Sequence, residues 1–404
     1  MKPDHERVFL QSACPVRIIR RDSSAFPAWL RCTMGIPRWR RLIILWVLTG
    51  GIGTLHGGPQ VVATQGRGAQ QKIELAEFVF EQAPFQRCHA STIVDLPNGD
   101  LLAAWFGGKE EGDKSVEIWL SRKPRGGHWS PPRQMTEFPD TACWNPVLFR
   151  DARGRIWLFF KVGPDEMAWV GAYRTSDDGG VGWSGITYLP AGLLGPIRSK
   201  PIILANGEIL AGTSREAGMG RHDTRARPYW SWSSWVERSS DGGTTWSIHG
   251  PIVYPGVTFG VIQPTLWESA PGRIQMLLRS TQQIGVICES TSTDGGKSWS
   301  EARPTRLPNP NSGFDAVQLK DGRIVLVYNH TRTGRTPLNL ATSEDDGNTW
   351  SNPSVLEGGE GEYSYPAVIQ SSDGLLHITF TWRREKIKHL VINAADLPTP
   401  PPRE

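Results

Sequence analysis

The sequence predicts an all-β chain folded as a six-bladed β-propeller, and three observations predict it. The phrase Ser-x-Asp-x-Gly-x-x-Trp occurs four times, at residues 176–183, 239–246, 292–299 and 343–350, and a decayed fifth copy without the Asp ends at Trp129. The closing Trp residues lie 54, 63, 53 and 51 positions apart, a period that belongs to propellers or solenoids. Six turn glycines (Gly99, Gly154, Gly207, Gly272, Gly322 and Gly374) recur at spacings of 55, 53, 65, 50 and 52. Finally, no long amphipathic helix follows residue 72, and Gly (44) and Pro (31) are abundant, as a turn-rich β chain requires.

Each element has a local reason. In the repeated phrase, Asp and Ser side chains can bond nearby backbone N–H groups and hold a tight turn, while Gly supplies a positive φ. The Trp then offers a large apolar surface to a neighbouring unit. After each turn Gly comes a strand-like run such as DLLAAWF, RIWLFFK or RIVLVYN, the pattern of a β-hairpin. Six turns but five Trp phrases imply that the last blade lacks its own fourth strand. Residues 73–80 are expected to pair with residues 386–393 and close the ring, leaving only short, protected edges.

The ends read differently. Residues 1–58 carry nine Lys/Arg against three Asp/Glu, so without them the formal charge falls from +4 to −2. Residues 38–41 (RWRR) followed by the apolar residues 42–53 look like a signal peptide, and twelve apolar residues are too few to span a bilayer. We therefore expect residues 1–70 to be a leader with translation starting at Met34, residues 71–396 to be the propeller, and residues 397–404 to be a disordered Pro-rich tail. The expected location is exported, with an uncleaved membrane anchor as the alternative. The basic charge belongs mostly to the leader, so nucleic-acid binding is not expected. Cys88, Cys143 and Cys288 read as buried thiols, although a Cys88–Cys143 disulfide is conceivable. No Cys/His spacing suggests a metal site, and no cofactor is expected.

Propeller geometry says where chemistry sits. The start of each first strand, the end of each second strand and the loop that follows share one face. Counting back nine or ten residues from the turn glycines gives His89, Asn145, Arg198, Gln263, Ser312 and Tyr365, all polar. Counting seven forward gives Phe106, Lys161, Ser214, Arg279, Asn329 and Thr381, with Trp382, Arg383 and Arg384 beyond. Convergent polar groups in a concave mouth mark a binding site. The loops add Lys109, Glu110, Glu111 and Asp113, a source of one acid; Arg215, Glu216, His222 and Asp223 with Trp230, Trp232 and Trp235; and Arg332 and Arg335. The Trp side chains suit either stacking on sugar rings or packing on the next blade. Arg279, Arg335 and Arg198 form a cationic set suited to a carboxylate.

Together the four phrases, the six-blade count and the Arg placements resemble the sialidase (neuraminidase) superfamily, in its BNR-repeat, Asp-box branch, over residues 75–395. The resemblance implies that Arg279 and Arg335 are two of three carboxylate-binding arginines, that Tyr365 is the nucleophile, and that Glu111, in a loop shared with Asp113, is the acid/base. Two positions depart from it: His89 stands in place of the first Arg, and Gln263 replaces the Glu that activates the Tyr. An amide cannot accept a proton from Tyr, whose ordinary pKa is about 10. The expected partner is an acidic glycan, with Asn145, Lys161 and Asn329 as further contacts. The expected function is an exo-glycosidase removing terminal acidic sugars. Alternatives are a uronate-directed lyase with His89 or Tyr365 as base, and a non-catalytic glycan-binding propeller.

Overall fold

The structure, a computed structural model, describes residues 69–218 and 230–400. Residues 1–68 of the expected leader, and His222 and Asp223 of the third loop, lie outside the described residues. The described chain forms six four-stranded antiparallel sheets arranged as a six-bladed β-propeller. Blade 1 is β2 (Arg87–Asp95), β3 (Leu101–Gly108), β4 (Glu117–Lys123) and β5 (Arg133–Gln134); blade 2 is β6 (Ala142–Arg150), β7 (Ile156–Gly163), β8 (Val170–Ser176) and β9 (Thr187–Tyr188). Blade 3 is β10 (Ile202–Ile203), β11 (Ile209–Ala217), β12 (Ser231–Ser239) and β13 (Ser247–Ile252); blade 4 is β14 (Val261–Ala270), β15 (Arg273–Ser280), β16 (Val286–Ser292) and β17 (Arg303–Pro308). Blade 5 is β18 (Asp315–Gln318), β19 (Ile324–Tyr328), β20 (Leu338–Ser343) and β21 (Ser354–Glu357), and blade 6 is β22 (Tyr363–Gln370), β23 (Leu376–Trp382) and β24 (Lys386–Ile392).

The fourth strand of blade 6 comes from the other end of the propeller. β1 (Leu75–Phe78) pairs antiparallel with β24, Leu75 opposite Val391 and Phe78 opposite Lys388, which closes the ring as the strand count predicts. Blades 3 and 5 begin later than expected: Arg198 and Ser312 lie in the segments before β10 and β18. The Pro-rich tail, expected to be disordered from residue 397, is anchored at its start. Leu397 is buried among Leu319, Val325 and Leu390, and Thr342 Oγ1 donates to the Pro398 carbonyl. The three cysteines of the described chain are free, buried thiols.

All four complete phrases adopt one arrangement. In the third, Ser292 Oγ donates to Asp294 Oδ1 at 2.8 Å and accepts from the Gly296 N–H at 2.9 Å. Asp294 accepts the Lys297 and Ser298 N–H groups at 3.0 and 2.9 Å, and Trp299 Nε1 donates to the Gly296 carbonyl at 3.0 Å. Gly296 is required twice over: its φ is +83°, and a Cβ there would come within 2.9 Å of Leu210 of blade 3. The phrase is thus a wedge against the preceding blade. Ser292→Ala would strip the buried Gly296 N–H of its acceptor, and we expect a loss of about 1–3 kcal/mol; a urea midpoint equal to that of the parent protein would refute this.

In the decayed fifth copy the Trp finds a different acceptor from the Gly carbonyl of the complete phrases. Trp129 Nε1 donates to Glu77 Oε1 on β1 at 3.0 Å, so blade 1 is tied to the borrowed strand of blade 6. Glu77 also pairs with Lys123 at 2.9 Å and with His389 Nδ1 at 2.9 Å, and His389 Nε2 lies 3.0 Å from His377 Nδ1. A polar clasp therefore sits on the seam of the ring.

Candidate functional site

The mouth is built by irregularity in the innermost strands. The registers of β2, β6, β14 and β22 each shift near their first residues, between His89 and Thr92, Trp144 and Val147, Ile262 and Thr265, and Ser364 and Ala367. At each shift a non-glycine residue takes a left-handed φ: Ala90 (+55°), Asn145 (+38°), Gln263 (+52°) and Tyr365 (+51°). Three of these precede a proline, Pro146, Pro264 or Pro366. Proline has no N–H to give the ladder, so pairing fails there and the bulge re-aims the side chain. Such conformations cost about 1–3 kcal/mol each and concentrate at functional sites.

Tyr365 is the centre of the result. It is 7 % exposed, and the guanidinium carbons of Arg198, Arg335 and Arg279 lie 5.2, 5.4 and 5.6 Å from its ring centre. The His89 ring is 4.1 Å away, centre to centre. Arg279, at the end of β15, donates through Nη1 to the Tyr365 hydroxyl at 2.5 Å and to Gln263 Oε1 at 2.9 Å, and through Nε to Asn311 Oδ1 at 2.9 Å. All three partners are neutral. Gln263 Nε2 is 3.5 Å from the Tyr365 hydroxyl, so the amide occupies the place where the family resemblance puts a carboxylate.

A second layer holds the other cations. Arg335 Nη1 and Arg384 Nε both donate to Glu362 Oε1 at 2.9 Å. Arg384 Nη1 also donates to Glu111 Oε2 at 2.5 Å. Burial works against the charge of Glu362, but Arg384 and Arg335 prevail and hold its carboxyl below the usual range. Burial, reinforced by the charges of Arg384, Arg335, Arg198 and Arg279, keeps His89 well below its ordinary value. Its imidazole is therefore neutral at pH 7, with Nδ1 2.8 Å from Thr381 Oγ1.

A cleft of about 750 Å³ opens over this cluster. Tyr365, Gln263, Arg279, Arg335, Asn311, Asn145 and Glu111 line it, with an aromatic wall of Trp144, Trp169, Trp230 and Trp232. The two possibilities weighed for the third-loop Trp residues are thus joined. Trp230 and Trp232 pack edge-on against Phe259, with centroids 5.6 and 4.4 Å away, and still border the cleft. Among the described residues, no group of three or more His, Cys, Asp or Glu could hold a metal ion.

Several expected residues sit elsewhere. Lys161 is fully buried and its Nζ donates to the Pro196 carbonyl, so the loop before β10 seals it from the cleft. Burial pushes its ammonium down to about 7. Asn329 is a scaffold residue, donating to the Pro337 and Tyr363 carbonyls at 3.0 and 2.9 Å. Asp113 accepts the Ser115 N–H at 2.9 Å and shapes its loop without lining the cleft. Arg198 donates to the Pro366 carbonyl behind Tyr365 and supports the ring rather than facing the cleft. His89 lines a neighbouring cavity, and Glu111 meets both. Arg87 remains exposed at the rim, 4.0 Å from Glu385, and does not fill the place of the first Arg.

Arg384, Glu362 and Asn311 carry no role in the sequence reading. The sequence places Arg384 just past a strand end, but its left-handed φ of +60° and its two carboxylate partners come from distant loops. Glu362 stands three residues before Tyr365, a spacing that a search for partners of the arginines could have used.

The comparisons agree with this architecture. Residues 99–378 match the BNR repeat-like domain family. No curated protein matches the chain. Among solved structures, a protein of unknown function from Dyadobacter fermentans aligns with a TM-score of 0.65 and 18% identity, over 79% of this chain and 98% of its own. The Hadza microbial sialidase Hz136 aligns with a TM-score of 0.64 and 18% identity, over 77% of this chain and 66% of its own. The K499G mutant of NanB sialidase from Streptococcus pneumoniae aligns with a TM-score of 0.63 and 14% identity, over 79% and 71%. At these identities the likeness is one of fold.

Proposed function

Because this chain belongs to the BNR repeat-like domain family and has a sialidase-like propeller, we propose that it is an exported glycoside hydrolase removing terminal acidic sugars, sialic acid or a close relative, from glycans. The observation that carries the reading is Arg279, a cation 7 % exposed in a cleft, whose hydrogen-bond partners are all neutral. A buried charge without a counter-ion is costly, and a ligand carboxylate removes that cost. Arg335 lines the same cleft and completes a two-armed grip.

In this reading the carboxylate bound to Arg279 and Arg335 sets the anomeric carbon beside the Tyr365 hydroxyl, which attacks or stabilises an oxocarbenium-like transition state. Glu111 is the acid. In the resting arrangement it accepts a hydrogen bond from Arg384 as a carboxylate, so it must leave that partner and take up a proton from water before it can give one to the leaving group. Gln263 has no proton-accepting role. If activation of Tyr365 limits the rate, Gln263→Glu supplies the missing base, and we expect hydrolysis to rise about tenfold or more. An unchanged rate would mean that Tyr365 acts in its un-ionised form.

One observation favours a second reading, uronate-directed β-elimination. His89 is neutral, buried and tilted against the Tyr365 ring at 4.1 Å between centres, and so available as a base. Incubating the protein with sialyl and uronyl oligosaccharides separates the two. Reducing-end release without an unsaturated product supports hydrolysis, ultraviolet absorbance supports elimination, and binding alone supports a glycan-binding propeller. Export rests on the apolar segment 42–53 after its basic flank. Mass spectrometry of the secreted protein's N-terminus tests it; a chain retaining residues 42–53 would favour an anchor. Among the described residues no helix is long and apolar enough to cross a membrane.

A further inference from the structure

The bulge that aims Tyr365 is held by buried charge. In β22 the ladder shifts between Ser364 and Ala367, so Tyr365 and Pro366 have no partner on β23, and Tyr365 takes its φ of +51°. Two backbone groups flank the irregularity, the Pro366 carbonyl and the Val368 N–H. Arg198 Nη2 donates to the first, and Asp315 Oδ2 accepts from the second at 3.0 Å. Both side chains are buried, 3 % and 1 % exposed, and neither lines the cleft.

The matching bulge in blade 2 shows what such a strand needs. Asn145 takes a φ of +38° before Pro146, and the N–H of Leu148, three residues on, donates to the neutral Thr92 hydroxyl at 3.0 Å. Val368 stands at the same offset from Tyr365, and there a carboxylate takes the hydroxyl's place. Buried charge is costly unless it is paired and hydrogen-bonded, so its use at one bulge calls for a reason. Asp315 also accepts Lys200 Nζ at 2.9 Å and the Thr265 hydroxyl at 3.0 Å, which ties blades 4 and 6 and the segment before β10 to one carboxylate. Burial pushes the Arg198 guanidinium down, and Asp315 is the charge that most opposes the shift.

The packing at Tyr365 is equally close. The Arg198 guanidinium carbon lies 5.2 Å from the ring centre, and the hydroxyl at the other end of the ring meets Arg279 Nη1 at 2.5 Å. Gly313 leaves just enough room: a Cβ there would lie 3.3 Å from each of Arg198 Nε, Gln263 Oε1 and Tyr365 Cδ2.

We propose that Arg198 and Asp315 are positioning residues for Tyr365: gripping the Pro366 carbonyl and the Val368 N–H, they hold the strained bulge and keep the hydroxyl against Arg279. This rests on the reading in which Tyr365 is the reacting group. Strained backbone persists only where its surroundings over-determine it. Without either grip the bulge relaxes towards regular strand and the hydroxyl leaves its place, while Arg279 and Arg335 still hold the substrate carboxylate. The loss therefore falls on kcat.

The test uses Arg198→Met and Asp315→Ala, which sit in different blades; Arg198→Met preserves most of the buried volume should Asp315→Ala not fold. With 4-methylumbelliferyl sialoside, kcat should fall about tenfold or more and KM should stay within about threefold. Amide hydrogen exchange without substrate gives the second readout. The exchange rate of Val368 divided by that of Leu148, its counterpart in blade 2, should rise about tenfold, whereas a general loss of stability moves both amides together. An unchanged ratio would overturn the clamp, and so would a raised ratio with kcat within twofold of the parent's. If the parent protein does not hydrolyse the sialoside, it is the hydrolase reading that fails, and the exchange ratio alone then decides whether Arg198 and Asp315 hold the bulge.

Discussion

Arg279→Ala is expected to lower kcat/KM for an acidic sugar substrate about 30- to 1000-fold, with the fold intact. The size follows from the bond lost. Removing one arm of a charge-assisted, two-pronged grip on a carboxylate at a largely buried arginine costs about 2–4 kcal/mol in the transition state. Arg279 also donates to the Tyr365 hydroxyl, Gln263 and Asn311, so the variant loosens the residue at the proposed reaction centre as well. Part of the loss should therefore fall on kcat and not only on KM. Arg279→Lys keeps the charge but not the planar fork, and should recover only a fraction. Steady-state kinetics with circular dichroism as a folding control decide it. Unchanged turnover in Arg279→Ala would remove the carboxylate grip from the proposed function.

The second large effect concerns the ring's seam. The protein should lose stability as pH falls from about 6.5 towards 4, with a component of about 3 kcal/mol traceable to His377. Burial, and then neighbouring His389, push the imidazole of His377 down to about 4 from an ordinary 6.5. Burial also lowers His389, although Glu77 opposes the shift. Between those limits the unfolded chain takes up a proton that the folded chain refuses. The contribution is therefore intact above pH 6.5, is lost as pH falls through the window, and is fully gone near pH 4. Glu77 acts in the same direction at lower pH: burial opposes its charge, but His389 and Lys123 hold its carboxyl below the usual range. Urea unfolding at pH 7 and pH 4.5 should show the drop, and His377→Asn should flatten it. An identical pH dependence in parent and variant would refute the assignment. Opening at this seam releases β1 from β24, so acid should expose the N-terminal strand to protease first.

Much of the architecture was legible because a propeller repeats its instructions. The Ser-x-Asp-x-Gly-x-x-Trp phrase is local: its hydrogen bonds span four residues or fewer, as at Ser292, Asp294 and Gly296, and so it can be read directly from the chain. Counting turns against Trp phrases predicted the borrowed strand, and β1 pairs with β24 as that count required. The same periodicity put His89, Gln263, Arg279 and Tyr365 at one mouth, where they are found together. It also put Lys161 and Asn329 there. Those two occupy the equivalent strand positions but are covered by the segments carrying Pro196 and Pro337, and no repeat encodes what an irregular loop covers.

The chain by itself therefore determined the number of blades, the closure of the ring and the face on which to look, since each follows from short-range geometry multiplied six times. Tertiary structure alone decided which cations have carboxylate partners. Arg384 reaches Glu111 across 273 positions and Glu362 across 22, whereas Arg279 is left among neutral groups. Charge pairing depends on distances of a few ångströms between loops that share no sequence period, and in a largely buried site that pairing decides which arginine lacks a counter-ion of its own.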